Sequence, residues 1–202
     1  MTLWLAPLPL VLASNSEARR KMLADTGIAL EIKPANIDER AVEMENNPSN
    51  ARDAATLLAR EKAFAVSRQA PQRIVLGADQ TLSSGERRFS KPANLDAARE
   101  QLRALSGNTH ELHCAAAIVI DGEMLFDHAD TARLTMRSLS DAFIDRYLKA
   151  AGVAVTHSVG AYQIEGAGAH LFDRIEGDYF SILGLPLLPV LKFLRRHGLI
   201  AE

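Results

Sequence analysis

Ser14-Asn15-Ser16-Glu17-Ala18-Arg19-Arg20 follows an apolar run and opens a stretch of helical periodicity, which sets hydroxyls and guanidinium groups at a helix N-terminus. Free N–H groups and a partial positive charge gather there, so phosphate is one natural occupant. An N-capping serine with two solvated arginines accounts for the same residues. The stretch is not a Walker loop, because the glycine pattern and the Gly-Lys-Ser/Thr are missing. Asp79 stands after two small residues at the expected end of the apolar strand Ile74-Val75-Leu76. A carboxylate held there can face a cleft as general base or metal ligand, or it can form a turn. Asp38-Glu39 is a second acidic pair, in an expected loop over 36–40. With Asp79 it offers the oxygen donors that a hard divalent cation prefers, although such pairs are ordinarily solvated. Lys62 on an expected helix and Lys91 before Pro92 can each meet phosphate oxygens as a point charge, or merely solvate a face.

Other candidates are weaker. His110, His113 and Cys114 invite a zinc reading, but an odd spacing on a strand sends the two histidines to opposite faces, and no second ligand pair lies nearby. No serine sits in a Gly-x-Ser-x-Gly elbow. Tyr162 to Gly168, with Glu165, is a glycine-rich loop that either approaches a ligand or only turns the chain.

The elements that must position these residues read as a mixed α/β sheet. A buried strand is expected near Leu8 to Ala13, a helix from there to a stop at Gly27, and a short strand over Glu31 to Pro34. Ser49 to Ser67 is helical, with Ala54, Leu57, Leu58, Ala63 and Val66 inward. A hairpin turn is expected around Gly85 and a helix over Leu95 to Leu105. Two β-rich runs meet at Asp121-Gly122, a type I′ signal. A helix over Ser140 to Ala151 has Ser140 as N-cap and Gly152 beyond its end, and a last helix runs from Gly184-Leu185-Pro186 to His197.

Composition narrows the ligand. The 202 residues are 48% hydrophobic and 24% charged, with a formal net charge of −2, so no global basic field exists to hold DNA or RNA. Aromatics at 5% argue against a base-stacking nucleic-acid platform. One cysteine excludes an internal disulfide framework and fits a cytoplasmic, reducing setting. No segment nears the roughly 20 apolar residues of a membrane span. The apolar start carries Pro7 and Pro9 and no Lys or Arg, so it reads as a strand rather than a signal peptide.

Taken in order, these motifs resemble those of the Maf family of nucleoside triphosphate pyrophosphatases, from about Val11 to Gly198. The resemblance rests on Leu12-Ala13-Ser14-Asn15-Ser16-Glu17-Ala18-Arg19, Ile37-Asp38-Glu39, Glu61-Lys62-Ala63, Gly77-Ala78-Asp79, Ser90-Lys91-Pro92, Leu105-Ser106-Gly107-Asn108-Thr109-His110, Gly160-Ala161-Tyr162-Gln163-Ile164 and the stretch from Ile175 to Pro186. It implies a single Maf-like α/β domain over residues 1–202, with an elongated mixed sheet, flanking helices and two lobes around a deep cleft. It implies hydrolysis of a nucleoside triphosphate to the monophosphate and pyrophosphate with a divalent cation, Mg²⁺ or Mn²⁺. Asp79 would activate water, Glu39 and Asp79 would hold the metal, and Ser14, Arg19, Lys62 and Lys91 would hold the phosphates. Gln80 and Glu165 resemble the branch that acts on 7-methyl-GTP, since a carboxylate accepts from guanine N1–H and its 2-amino group. Ala18 stands where that branch carries a large aromatic side chain, so stacking on a methylated base is not supplied there. A dTTP/UTP-type or broad-specificity enzyme and a non-catalytic nucleotide-binding regulator of cell division are the alternatives. Family members often form homodimers, and no interface is marked in the sequence.

Overall fold

The computed structural model describes residues 3–202. The chain folds as two compact units. The first runs through Gln80 and takes in Cys114–Asp130 and Asp178–Glu202; the second comprises Thr81–His113 and Thr131–Gly177.

In the first unit, β1 (Leu10–Leu12) lies parallel to β2 (Leu30–Ile32) and to the first half of β3 (Val75–Ser84), with Leu10 beside Leu30 and Leu12 beside Leu76. A parallel strand covered on both faces is apolar throughout, and all three β1 residues are fully buried. One face of the sheet packs Leu10, Leu12, Leu76, Ala78, Ala116 and Ile118 against Met22 and Leu23 of α1 (Glu17–Asp25) and against Val190, Phe193 and Leu194 of α7 (Leu187–Arg196). Each large side chain buried this way contributes about 1.5–3 kcal/mol. The opposite face is built differently. The helix α3 (Ala51–Ser67) lays Ala55 and Ala59 on Ala115, and Ala63 on Ala117 and Val119. Small residues on both sides let this helix approach the sheet closely.

Three features of this unit depart from the sequence expectation. The loop expected over 36–40 is in part a helix, α2 (Glu39–Asn46), and the acidic pair is thereby split. Asp38 is the N-cap, its carboxylate accepting the Arg40 and Ala41 N–H groups at 3.1 Å, while Glu39 opens the helix. Asp79 is not at a strand end either. β3 continues to Ser84 because Thr81 and Leu82 are buried and Leu82 pairs with Phe89. A four-residue helix, α6 (Tyr179–Ile182), capped by Asp178, was also not expected.

The second unit holds the rest of β3, paired antiparallel with β4 (Arg87–Phe89) across a tight turn in which Gly85 has φ 58°. The long strands β5 (Thr109–Ile120) and β6 (Glu123–Met136) each run through both units and are joined at Asp121 and Gly122, whose φ values of 50° and 79° are those of a type I′ turn. β7 (Phe172–Glu176) pairs antiparallel with β6, Leu134 beside Ile175. The helices α4 (Leu95–Leu105) and α5 (Asp141–Ala151) belong here; Asn94 and Ser140 cap them as their side chains accept the Ala97 and Phe143 N–H groups. The sheet order is β2-β1-β3-β5-β6-β7, with β4 on β3. This is the mixed α/β sheet flanked by helices that the alternation of elements implies. Among the described residues no helix is long and apolar enough to cross a membrane.

Candidate active site

Gly77 sets the geometry of the site. Alternation along β3 puts Gly77 and Asp79 on the face that α3 covers and Ala78 on the other. A Cβ added at Gly77 would lie 2.2 Å from the carbonyl oxygen of Ala59 and 2.6 Å from the nitrogen of Ala63. Only glycine therefore lets α3 sit this close. One strand step on, Asp79 meets Lys62, the residue before Ala63: Lys62 Nζ donates to Asp79 Oδ1 at 2.6 Å. The same ammonium pairs with Glu39 Oε1 at 2.6 Å. One cation thus gathers carboxylates from a strand and from the start of α2. Lys62 and Asp79 are nearly enclosed, with side chains 12% and 11% exposed, whereas Glu39 is half open.

Arg19 approaches from the other side of β3. Its Nε donates to the Gly184 carbonyl at 2.6 Å, and its Nη1 donates to the Ala78 carbonyl at 2.9 Å and to Ser14 Oγ at 3.1 Å. Ser14 Oγ also accepts the Ser16 N–H, and Ser16 Oγ caps α1 by accepting the Arg19 N–H. Carbonyl and hydroxyl oxygens thus fix a buried guanidinium without neutralising it. Ala18, half-buried, sits in the first turn of α1 between Ser16 and Arg19.

The electrostatics follow from burial. Desolvation pushes the Asp79 carboxyl above its ordinary value; the charges of Lys62 and Arg19 and the Lys62 hydrogen bond pull it back, and Glu39 adds to the upward push. A carboxylate raised in this way is a stronger proton acceptor than a solvated aspartate. The formal charges of Arg19, Lys62, Glu39 and Asp79 cancel. A polyphosphate entering this neutral set brings several negative charges, and it supplies oxygens that two carboxylates alone lack. Mg²⁺ is characteristically held by one or two carboxylates together with substrate phosphates, so Glu39 and Asp79 fit such an ion. Among the described residues no cluster of three or more His, Cys, Asp or Glu side chains is arranged to hold a metal unaided.

Gln80 carries a structural bond that its sequence position does not announce. Its amide nitrogen donates to the carbonyls of Ser181 and Ile182 at 2.9 and 3.1 Å, so it ties α6 to β3 beside Asp79. Ser181 is held in turn by Asp130, which accepts its hydroxyl at 2.9 Å. Gly184 belongs to the Ile175–Pro186 motif, whereas Ser181 is an unspecified position within it and Asp130 lies in no motif. Two candidates belong to the second unit. Lys91 lies exposed in the loop before Pro92, and Glu165 lies exposed in the turn over 164–166. The zinc candidates separate as their spacing implies: His110 lies 2.7 Å from the Tyr162 hydroxyl, while His113 reaches Ser83 and Thr131. Cys114 is fully buried, and desolvation pushes its thiol far up, which leaves it inert.

A family model described as Maf-like protein matches residues 9–197. A nucleoside triphosphate pyrophosphatase of Rhodopseudomonas palustris is 56% identical over 201 residues, and one of Bradyrhizobium diazoefficiens is 55% identical over 201, each alignment covering 100% of both chains. A 7-methyl-GTP pyrophosphatase of Mesorhizobium japonicum is 49% identical over 193 residues, 95% of this chain and 97% of that one. Among solved structures, the Ham1 protein of Staphylococcus aureus aligns at a TM-score of 0.41 with 17% identity, over 64% of this chain and 72% of that chain, a remote likeness.

Proposed function

This chain belongs to the Maf-like protein family, and from that premise we propose that it is a nucleoside triphosphate pyrophosphatase. It hydrolyses the bond between the α and β phosphates and releases a nucleoside monophosphate and pyrophosphate. The observation that carries the reading is the nearly enclosed Lys62, held at 2.6 Å from both Asp79 and Glu39.

Each residue has a chemical task in this reading. Asp79 accepts a proton from the attacking water, and its raised affinity for protons suits that role. Lys62 keeps the carboxylate oriented and offsets charge that develops on the leaving pyrophosphate. Arg19, already fixed by three hydrogen bonds, presents its remaining guanidinium edge to phosphate oxygens with no reorganisation at the moment of reaction. Ser14 and Lys91 add a hydroxyl and a point charge to the phosphate set. A divalent cation held by Glu39 and Asp79 supplies neutralisation of phosphate charge.

Glu165 sets the base preference in this reading. A carboxylate accepts two hydrogen bonds from the guanine edge, and methylation at N7 adds positive charge to the ring that strengthens them. The relative named for 7-methyl-GTP supports a guanine-type substrate. The single buried cysteine and a nucleotide substrate both suit the cytoplasm. The test is pyrophosphate release with Mg²⁺ or Mn²⁺ across canonical and 7-methylated triphosphates. Release from at least one triphosphate, with 7-methyl-GTP ahead of UTP and dTTP, is the expected result. Nucleotide binding with no release from any of them overturns the enzyme reading.

A further inference from the structure

The Leu105–His110 and Gly160–Ile164 motifs meet inside the second unit, where the proposed chemistry does not use them. His110 is 1% exposed and its Nε2 lies 2.7 Å from the Tyr162 hydroxyl. Its Nδ1 is buried with no partner. Desolvation lowers its pKa to about 4, so the ring is neutral and shares a single hydrogen bond, through Nε2, with the tyrosine hydroxyl. Tyr162 also packs edge-on against Phe172, with ring centroids 4.8 Å apart. One residue earlier, the Tyr147 hydroxyl donates to the Ala161 carbonyl at 3.1 Å.

The backbone between these anchors is unusual. Gly160 and Ala161 take consecutive left-handed conformations, φ 79° and 62°. A Cβ at Gly160 would come within 2.6 Å of Leu82 and 2.7 Å of the Tyr162 ring. Alanine pays about 1 kcal/mol or more for a left-handed φ, so the segment keeps this course only if its surroundings dictate it. The turn beyond is closed by Gly166 N–H donating to the Gln163 carbonyl at 3.3 Å, and Gly168 packs so tightly there that a Cβ would lie 2.3 Å from that oxygen. Glu165 rides on this turn, exposed. A side chain that reads a base must not wander. Here the rigidity comes from below, through the two tyrosine hydroxyls and the histidine.

We propose that the His110–Tyr162 hydrogen bond, backed by Tyr147, is a buried latch that fixes the turn over 163–168 and so sets the base preference exerted by Glu165. His110, Tyr147 and Tyr162 are positioning residues for specificity, and the proposal rests on the reading of Glu165 given above.

The ratio of kcat/KM for 7-methyl-GTP to kcat/KM for UTP tests it. Tyr162→Phe keeps the ring and removes the O–H; Tyr147→Phe is the milder second variant. Each is expected to shift the ratio toward that of Glu165→Gln, by about fivefold for Tyr162→Phe, through KM rather than kcat. Tyr162→Phe added to Glu165→Gln is expected to change the ratio no further. Amide hydrogen exchange over 163–168 is expected to accelerate in Tyr162→Phe while α4 and β5 keep their protection. A parallel fall for both nucleotides, or an additive effect on Glu165→Gln, assigns the bond a general structural role and overturns the proposal. So does unchanged exchange, a result that needs no activity. Absence of turnover in the wild type instead refutes the functional reading, and a ratio unmoved by Glu165→Gln removes Glu165, and with it the link from latch to base.

Discussion

Gly77→Ala probes how the fold makes the site without touching a residue proposed to meet substrate. The added methyl carbon would lie 2.2 Å from the Ala59 oxygen, 2.6 Å from the Ala63 nitrogen and 2.9 Å from the Ala63 Cβ, all on α3. Non-bonded carbon contacts settle near 3.5 Å or beyond, so the helix has to retreat by roughly 1 Å. Overpacking of this kind costs about 1–3 kcal/mol, which for a chain of this size lowers Tm by roughly 2–12 °C. Lys62 moves with the helix, and its 2.6 Å contact with Asp79 stretches to about 3.6 Å, past hydrogen-bond range. If Lys62 has the catalytic role proposed for it, a displacement of that size costs on the order of 100-fold in rate. Thermal unfolding and pyrophosphate release on the same preparation measure both effects. Gly85→Ala is the control, since its Cβ would meet nothing within 4 Å and only its φ of 58° is strained; it should lose stability and keep its rate. A Gly77→Ala protein with wild-type Tm and wild-type turnover refutes the claim that this glycine brings Lys62 to Asp79.

Three further outcomes are expected. Lys62→Met leaves Asp79 and Glu39 without their shared cation and should lower kcat by roughly 100-fold or more, with nucleotide still bound; a loss under threefold would speak against it. Arg19→Lys cannot serve Gly184, Ala78 and Ser14 at once, so it should lower stability by about 1–3 kcal/mol in denaturant and raise KM for the triphosphate. His110 is held neutral by burial, its pKa lowered to about 4 from 6.5. The unfolded chain therefore binds the extra proton more readily, and this contribution to stability, whole above pH 6.5, is lost as pH falls towards 4, by up to about 3 kcal/mol. Stability curves over that range should be flatter in His110→Gln, and equal slopes would contradict the assignment.

What the sequence discloses depends on how local the cause is. The Asp121-Gly122 turn, the Ser140 cap and the helix over Leu95–Leu105 rest on neighbouring residues, and they stand as expected. The helix α2 leaves no signal in the sequence because it buries none of its residues and so has no apolar stripe. The sequence pattern ends β3 at Asp79 because Gly77, Ala78, Asp79 and Gln80 are poor strand formers alone; the long strand beside them in the sheet carries the chain on to Ser84. The candidates Lys62, Glu39 and Asp79 could each be picked out by type. Their convergence could not, because it depends on the close approach of α3 at Gly77. The bonds from Gln80 to α6 span about a hundred residues of sequence, and nothing local foretells them.

Asp79→Asn tests the central claim most directly. The variant keeps the size of the side chain and loses the proposed proton acceptor. It should also melt no lower than the wild type at neutral pH, since desolvation of that carboxylate outweighs the help it receives from Lys62 and Arg19. With saturating Mg²⁺ and triphosphate, pyrophosphate release should fall by about 100-fold or more. Release at near the wild-type rate from a folded Asp79→Asn protein would contradict the account.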